Sequence, residues 1–309
     1  LTGRGNDRVN IIRGNSGNNK LEGKGGNDQL FGNNGADNLL GGDGKDTLIG
    51  GAGNDKLNGG KDDDRLIGGT GDDVYTIDST GDIIIERANQ GNDHVRSLVT
   101  YNLNNNNLEK LTLLGKNNII GRGNDRANII RGNSGNNKLE GKGGNDQLFG
   151  NNGADNLLGG NGNDALNGGG GLDILNGGSG QDTLIGSSGR DTLIGGLDAD
   201  SLLGGSDLDS LNGGSGRDTL DGGRNPDRLT GGSDADSFVL RSGDGNDRIL
   251  DYVDGTDNFL LDSLTFEDLT IELDSTGNNT VIKTSTETLA TLVGVTDITD
   301  LDNGDFVIV

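Results

Sequence analysis

An aspartate returns every nine residues along most of this 309-residue chain, each time behind a glycine-rich turn and usually two places ahead of a leucine. From Gly141 the text runs GKGGNDQLF, GNNGADNLL, GGNGNDALN, GGGGLDILN and GGSGQDTLI, with acids at Asp146, Asp155, Asp164, Asp173 and Asp182. The phase continues through Asp191, Asp200, Asp209, Asp218, Asp227 and Asp236, and an earlier array keeps it at Asp28, Asp37, Asp46, Asp55, Asp64 and Asp73. A period this strict predicts a solenoid in which every nonapeptide repeats one physical job. Sixty-one glycines and 29% hydrophobic residues leave no thick globular core and, taken alone, would suit a disordered linker. A linker has no reason to keep the fixed phase of Leu30, Leu39, Leu48, Leu57 and Leu66.

A second, larger repeat contains the first. Gly3 to Gly42 recur at Gly121 to Gly160 with Val9 against Ala127 as the sole change, an offset of 118 residues. Further copies are therefore expected upstream in a parent protein, and Leu1, which is not an initiator methionine, suggests a fragment or trimmed chain. Four regions follow: a first array at 1–73, a metal-free β spacer at 74–127, a second array at 128–237 and a C-terminal β cap at 238–309. At the head of the arrays Asn10, Asn19, Asn128 and Asn137 occupy the aspartate phase, where neutral amides are expected to stack as a hydrogen-bonded ladder and to hold a cation less well. The spacer reads as longer strands, VYTID, DIIIE, DHVRSLVTY and LEKLTLL. The cap reads as alternating strands, LTIEL, NTVIKT and TLATLVGV, that cover the last coil so that its edge does not pair with other chains.

The formal charge of −24, from 49 acids against 25 bases, argues against nucleic acid as a partner and points to cations. The chain has no cysteine, so it has no disulfide, thiolate metal site or thiol nucleophile. No apolar run approaches the ~18 residues of a membrane span, and no secretory leader opens the chain.

In a unit such as Gly50-Gly51-Ala52-Gly53-Asn54-Asp55-Lys56-Leu57-Asn58, the first six residues suit a turn and the last three a short strand that points Leu57 inward. One nonapeptide then makes half a coil, and Asp46 stacks on Asp64 on one side while Asp37, Asp55 and Asp73 stack on the other. Coils ~4.8 Å apart bring these carboxylates close enough to repel, so something positive belongs between them. Ca²⁺ fits best, since it takes six to eight oxygens in irregular geometry, whereas Mg²⁺ is stricter and Zn²⁺ prefers the Cys and His lacking here. Aspartates paired 18 residues apart give about 13 such sites, enough to neutralise the formal charge almost completely. Burial of about one leucine per nonapeptide does not offset the entropy of ordering nine residues, so calcium binding and folding are expected to be one event.

These units resemble the calcium-binding nonapeptide repeat of the repeats-in-toxin, or hemolysin-type, family, whose consensus is G-G-x-G-x-D-x-U-x. The resemblance covers both arrays and assigns the metal role to the seventeen phased aspartates named above. It implies an all-β parallel β-roll, export by a type I secretion system that reads a C-terminal signal, and folding on meeting extracellular calcium. The spacer and C-terminal strands are similar to those of cyanobacterial members. Departures from the consensus fall on the turns. Asp62, Asp198, Asp207, Asp234 and Asn225 replace the glycine two places before the acid, where a left-handed backbone is expected to survive. Lys24, Asn33, Lys142, Asn151 and Ser187 displace the second glycine and are expected to loosen their own sites.

No catalytic constellation is present: H-E-x-x-H, G-x-S-x-G and a phosphate loop are all absent, and the single histidine, His94, reads as an exposed strand residue. The chain is therefore expected not to be an enzyme. Leu40, Ile49, Ile67, Leu158, Ile185, Ile194 and Leu203, each following an inward leucine, read as second core contacts or, if outward, as patches for self-association. Thr183, Ser201, Thr219 and Ser237 fall 18 apart and suggest an outward hydroxyl row suited to surface polysaccharide or ice. The leading expectation is a secreted, extracellular or cell-surface calcium-binding rod with a structural, matrix or adhesive role. The alternatives are the noncatalytic tail of a secreted enzyme or toxin, and an ice- or glycan-binding adhesin segment.

Overall fold

A computed structural model describes residues 1–103, 107–299 and 301–309. The chain divides into two compact units, residues 1–141 and 142–309, and each is an all-β, mainly parallel β-solenoid. Apart from the short turns Phe266–Asp268 and Asn303–Asp305, the regular elements of the described residues are strands, and no helix is long and apolar enough to cross a membrane.

In the first unit, strands Lys20–Gly25, Asn38–Asp43, Lys56–Lys61 and Val74–Ile77 stack in one parallel sheet, while Gln29–Asn34, Thr47–Ala52 and Arg65–Thr70 stack in another. The register is 18 residues per coil, as in Leu39 opposite Leu57 and Leu48 opposite Leu66. The second unit builds the same pair of sheets from Gln147–Asn152 and Asn156–Asn161 onward. The array strands are six residues long rather than three, because the second glycine and the residue after it also pair with the next coil. Along each strand exposure alternates, and the inward leucines, one per nonapeptide from Leu21 to Leu66 and from Leu148 to Leu229, are at most 1% exposed. Burying one such side chain contributes roughly 1.5–3 kcal/mol, and this ladder of single leucines is most of the core the arrays have.

The residue after each inward leucine lies on the opposite face of its strand, half-buried, so Leu40, Ile49, Ile67, Leu158, Ile185, Ile194 and Leu203 are not second contacts of the leucine core. Thr183, Ser201, Thr219 and Ser237 do pair in one outward row. All ten glycine replacements adopt the left-handed backbone the turn requires, from Asp198 at φ 71° to Lys24 at φ 87°. At Lys24, Lys142 and Ser187 that conformation costs about 1–2 kcal/mol, since only Asn and Asp relieve it by local hydrogen bonding.

The described residues of 74–127 form shorter strands than expected: Val74–Ile77, Ile83–Ile84, His94–Ser97, Tyr101–Asn102, Lys110–Leu113 and Ile120–Arg122. The run DHVRSLVTY breaks where the Ser97 hydroxyl donates to the Val99 carbonyl and turns the chain. His94 is half-buried rather than exposed, with Nε2 2.9 Å from Thr112 Oγ1. After Asp236, strands Thr270–Leu273, Asn279–Lys283 and Thr288–Val293 form an antiparallel meander, the third of them pairing in parallel with Asp247–Ile249.

Candidate metal centre

The two oxygens of each phased aspartate have different surroundings. Asp46 Oδ1 accepts the backbone N–H of Asp28, one coil earlier, at 2.6 Å. The same staple joins Asp37 to Asp55 at 2.7 Å, Asp46 to Asp64 at 2.8 Å, Asp164 to Asp182 at 2.7 Å and Asp209 to Asp227 at 2.7 Å. Asp Oδ2, by contrast, is buried with no hydrogen-bond donor from Asp28 through Asp73 and from Asp164 through Asp227. All seventeen aspartates are at most 3% exposed and lie in two rows, Asp28, Asp46 and Asp64 on one side and Asp37, Asp55 and Asp73 on the other. An orphaned buried anionic oxygen costs a large desolvation penalty, so one at each half-coil of these two runs is a ligand atom awaiting a cation or a proton.

The first glycine of each unit shows what Oδ2 faces. A β-carbon built on Gly41 would collide with Asp46 Oδ2 and with the Gly59 carbonyl oxygen one coil on. Gly50 meets Asp55 Oδ2 and the Gly68 carbonyl, Gly159 meets Asp164 Oδ2 and the Gly177 carbonyl, and Gly195 meets Asp200 Oδ2 and the Gly213 carbonyl. A carboxylate oxygen and a carbonyl oxygen thus converge on a hollow that only a missing side chain leaves open. The second and fourth positions, which need a left-handed backbone, admit Lys, Asn, Asp and Ser, whereas the first position is glycine ahead of all seventeen aspartates. Its constraint is space, not φ.

Burial pushes these carboxyls up from their ordinary range, against the opposing pull of the stapling N–H, and like charges in adjacent coils add to the rise. Asp64 and Asp73 are raised to about 8, Asp191, Asp200, Asp209 and Asp227 to about 7, and Asp46 to about 6. The ion pairs Lys45–Asp63 and Lys61–Asp43 use surface acids instead of the phased ones. The donor set is all oxygen, part anionic and part carbonyl, which fits calcium and gives zinc or copper none of the nitrogen or sulfur they favour. Asp Oδ2 and the stacked first-glycine carbonyl would hold the ion, and its charge would cancel the repulsion between coils.

The asparagines at the head of the arrays do not form a ladder. Asn19 Oδ1 accepts Asn15 N–H at 2.6 Å and Asn128 Oδ1 accepts Asn124 N–H at 2.7 Å, each within its own loop, while Asn137 Nδ2 donates to the Ile119 carbonyl at 3.2 Å. An amide carries donors as well as an acceptor, so Oδ1 accepts within its own loop while Nδ2 of Asn137 donates to a carbonyl of the previous coil, as Asn128 also does to Leu108 at 3.2 Å. Conversely, four aspartates outside the predicted set act as staples: Asp82 on Asp64, Asp93 on Asp73, Asp247 on Asp227 and Asp257 on Asp236, at 2.8–3.0 Å. Asp62, Asp198, Asp207 and Asp234 are exposed to solvent.

Stacked coils joined by carboxylate staples around oxygen-lined hollows define a repeat β-roll of the calcium-binding class. The profile of the RTX calcium-binding nonapeptide repeat matches residues 4–39, 40–75 and 122–157, and overlapping segments from 149 to 249. Together these cover more than half of the chain, which belongs to that family. Its repeat β-roll is a structural calcium-binding domain rather than a catalytic fold. A search of curated proteins finds no match. Among solved structures, the crystal structure of extracellular lipase LipA from Serratia marcescens is similar at 16% identity and a TM-score of 0.30, over 77% of this chain and 45% of that one. The chain thus spans less than half the length of that lipase.

Proposed function

We propose that the chain is a secreted structural segment that is unfolded at low calcium, passes an exporter in that state, and stiffens into β-roll when extracellular calcium fills the hollows between coils. Its role would be at a cell surface or in a matrix, with about one ion for each stacked pair of phased aspartates. The observation that carries the reading is the buried, donorless Oδ2 repeated at successive half-coils beside a glycine with no room for a β-carbon. A function requiring only a rigid scaffold has no need of an anionic interior, and a calcium-triggered one does. Far-ultraviolet circular dichroism tests the trigger: strand signal appears on adding calcium and disappears with EDTA. Strand signal of full amplitude in EDTA at neutral pH would contradict it.

A further inference from the structure

The coil that leaves the first array differs from those before it. Ile83 pairs with Arg65 and Ile84 with Leu66, which sets Glu86 over Gly68, the place where earlier coils stack their first glycine. Tyr75 stands where the inward leucine belongs, fully buried, and its hydroxyl donates to Glu86. A β-carbon on Gly68 would therefore meet Asp73 Oδ2 and the Tyr75 hydroxyl, not a carbonyl. Asp93 closes the group from the next coil, accepting Asp73 N–H at 2.8 Å while its own N–H donates to Glu109 Oε2 at 2.8 Å. Asp73, Glu86 and Asp93 are all buried, and each offers an oxygen within 4.8 Å of the others. Independently of that clustering, Asp73 Oδ2 faces this hollow buried and without a hydrogen-bond donor.

We propose that Asp73, Glu86 and Asp93 form a separate hard-cation site beside the Tyr75 phenol, in which side-chain carboxylates replace the glycine carbonyl of the repeat. The region beginning at residue 74 then opens with a metal site, contrary to the metal-free spacer expected for it. Three anionic ligands in one hollow repel one another strongly when empty, and a divalent ion of calcium's size converts that repulsion into ligation. Ligand charge count raises affinity, so this site fills before the single-carboxylate hollows of the arrays. It rests on the calcium reading above for the identity of the ion and shares Asp73 with the repeat row, while Glu86 and Asp93 belong to this site alone.

Terbium(III), close to calcium in size, is the probe, because a tyrosine excites its emission only at short range. The chain has no tryptophan and three tyrosines, so the antenna is assignable. In a terbium titration of the full chain, Tyr75→Phe is expected to remove most of the tyrosine-excited emission at the first equivalent. Glu86→Gln is expected to raise the terbium concentration for half of that emission about tenfold. Emission retained in Tyr75→Phe, or a half-point unmoved in Glu86→Gln, would overturn the site. Strand signal is read in the same samples. A chain that gains strand with calcium but shows no Tyr75-dependent emission loses this site and keeps the calcium-triggered roll, whereas no gain of strand refutes the roll itself. If Glu86→Gln does not fold, Tyr75→Phe decides.

Discussion

From residue 142 on, the second array and the C-terminal segment lie in one unit, yet most of their acids are treated differently. Between Asp164 and Asp227 every phased carboxylate leaves an oxygen buried with no donor, and burial raises it. After Asp236 burial still raises Asp244 and Asp247, but other acids find side-chain partners within the chain. Arg241 joins Asp221 at 3.1 Å, Asp244 at 3.0 Å and Asp262 at 2.7 Å, and Asp274 is held down to about 2 by Thr276 and Asn279. The cores differ in the same sense. The array stacks single leucines, whereas the C-terminal segment stacks Tyr252 on Phe259 at 4.8 Å and Phe259 on Phe306 at 5.0 Å, with Phe266 beyond at 5.1 Å. Aromatic pairs add to area burial, and internal counter-ions remove the need for external ones. On the proposed reading, calcium dependence would be a local property of the repeats.

Chelation breaks the comparison most severely. In EDTA at neutral pH, hydrogen exchange across residues 146–236 is expected to accelerate by about a thousandfold or more, while residues 258–293 keep their protection to within about tenfold. Equal loss in both would mean that the C-terminal segment has no stability of its own.

Acid is the next largest lever, and its sign is opposite to ordinary acid unfolding. The array carboxyls rise in the folded, metal-free chain, to about 7 at Asp191 and Asp209, above an unfolded value near ~3.9. Each therefore contributes stability that is complete below about pH 4 and is lost as pH rises toward 7. Lowering the pH from 8 to 5 without calcium should increase the strand signal, because folding stability rises by up to about 1.4 kcal/mol per pH unit for each linked proton. A metal-free chain that loses strand on acidification would refute the burial of these groups.

Single glycines sharpen the contrast. Gly159→Ala puts a methyl against Asp164 Oδ2 and the Gly177 carbonyl, and should cost about 1–3 kcal/mol of packing and shift the calcium midpoint upward severalfold. Gly243→Ala, at φ 90° with nothing within 4 Å, should cost about 1 kcal/mol of backbone strain and leave the calcium midpoint in place. Equal midpoint shifts in the two variants would show that the first-glycine hollow is not the binding site.

The ladders of Leu39 over Leu57 and Asp46 over Asp64 were legible because residues 18 apart share one environment, which makes spacing a sufficient description. Asp93, Asp247 and Asp257 escaped because insertions of two or three residues carry them off the nine-residue step, although Gly243-x-Gly245-x-Asp247 still shows the turn chemistry. Asp82 keeps the 18-residue step from Asp64 but lacks the glycine pair. The division of labour between Oδ1 and Oδ2 was not legible, since it depends on where the previous coil presents its N–H. Nor was the spatial role of the first glycine, which composition does not distinguish from glycines serving positive φ.

The central claim is that Oδ2 and the stacked glycine carbonyl share a calcium ion. Anomalous scattering from crystals grown in calcium tests it most directly. Peaks in two rows between the coils, each against Asp Oδ2 and the first-glycine carbonyl one coil on, are the predicted result; peaks confined to surface acids such as Asp43 and Asp63, with the interior hollows empty, would contradict it.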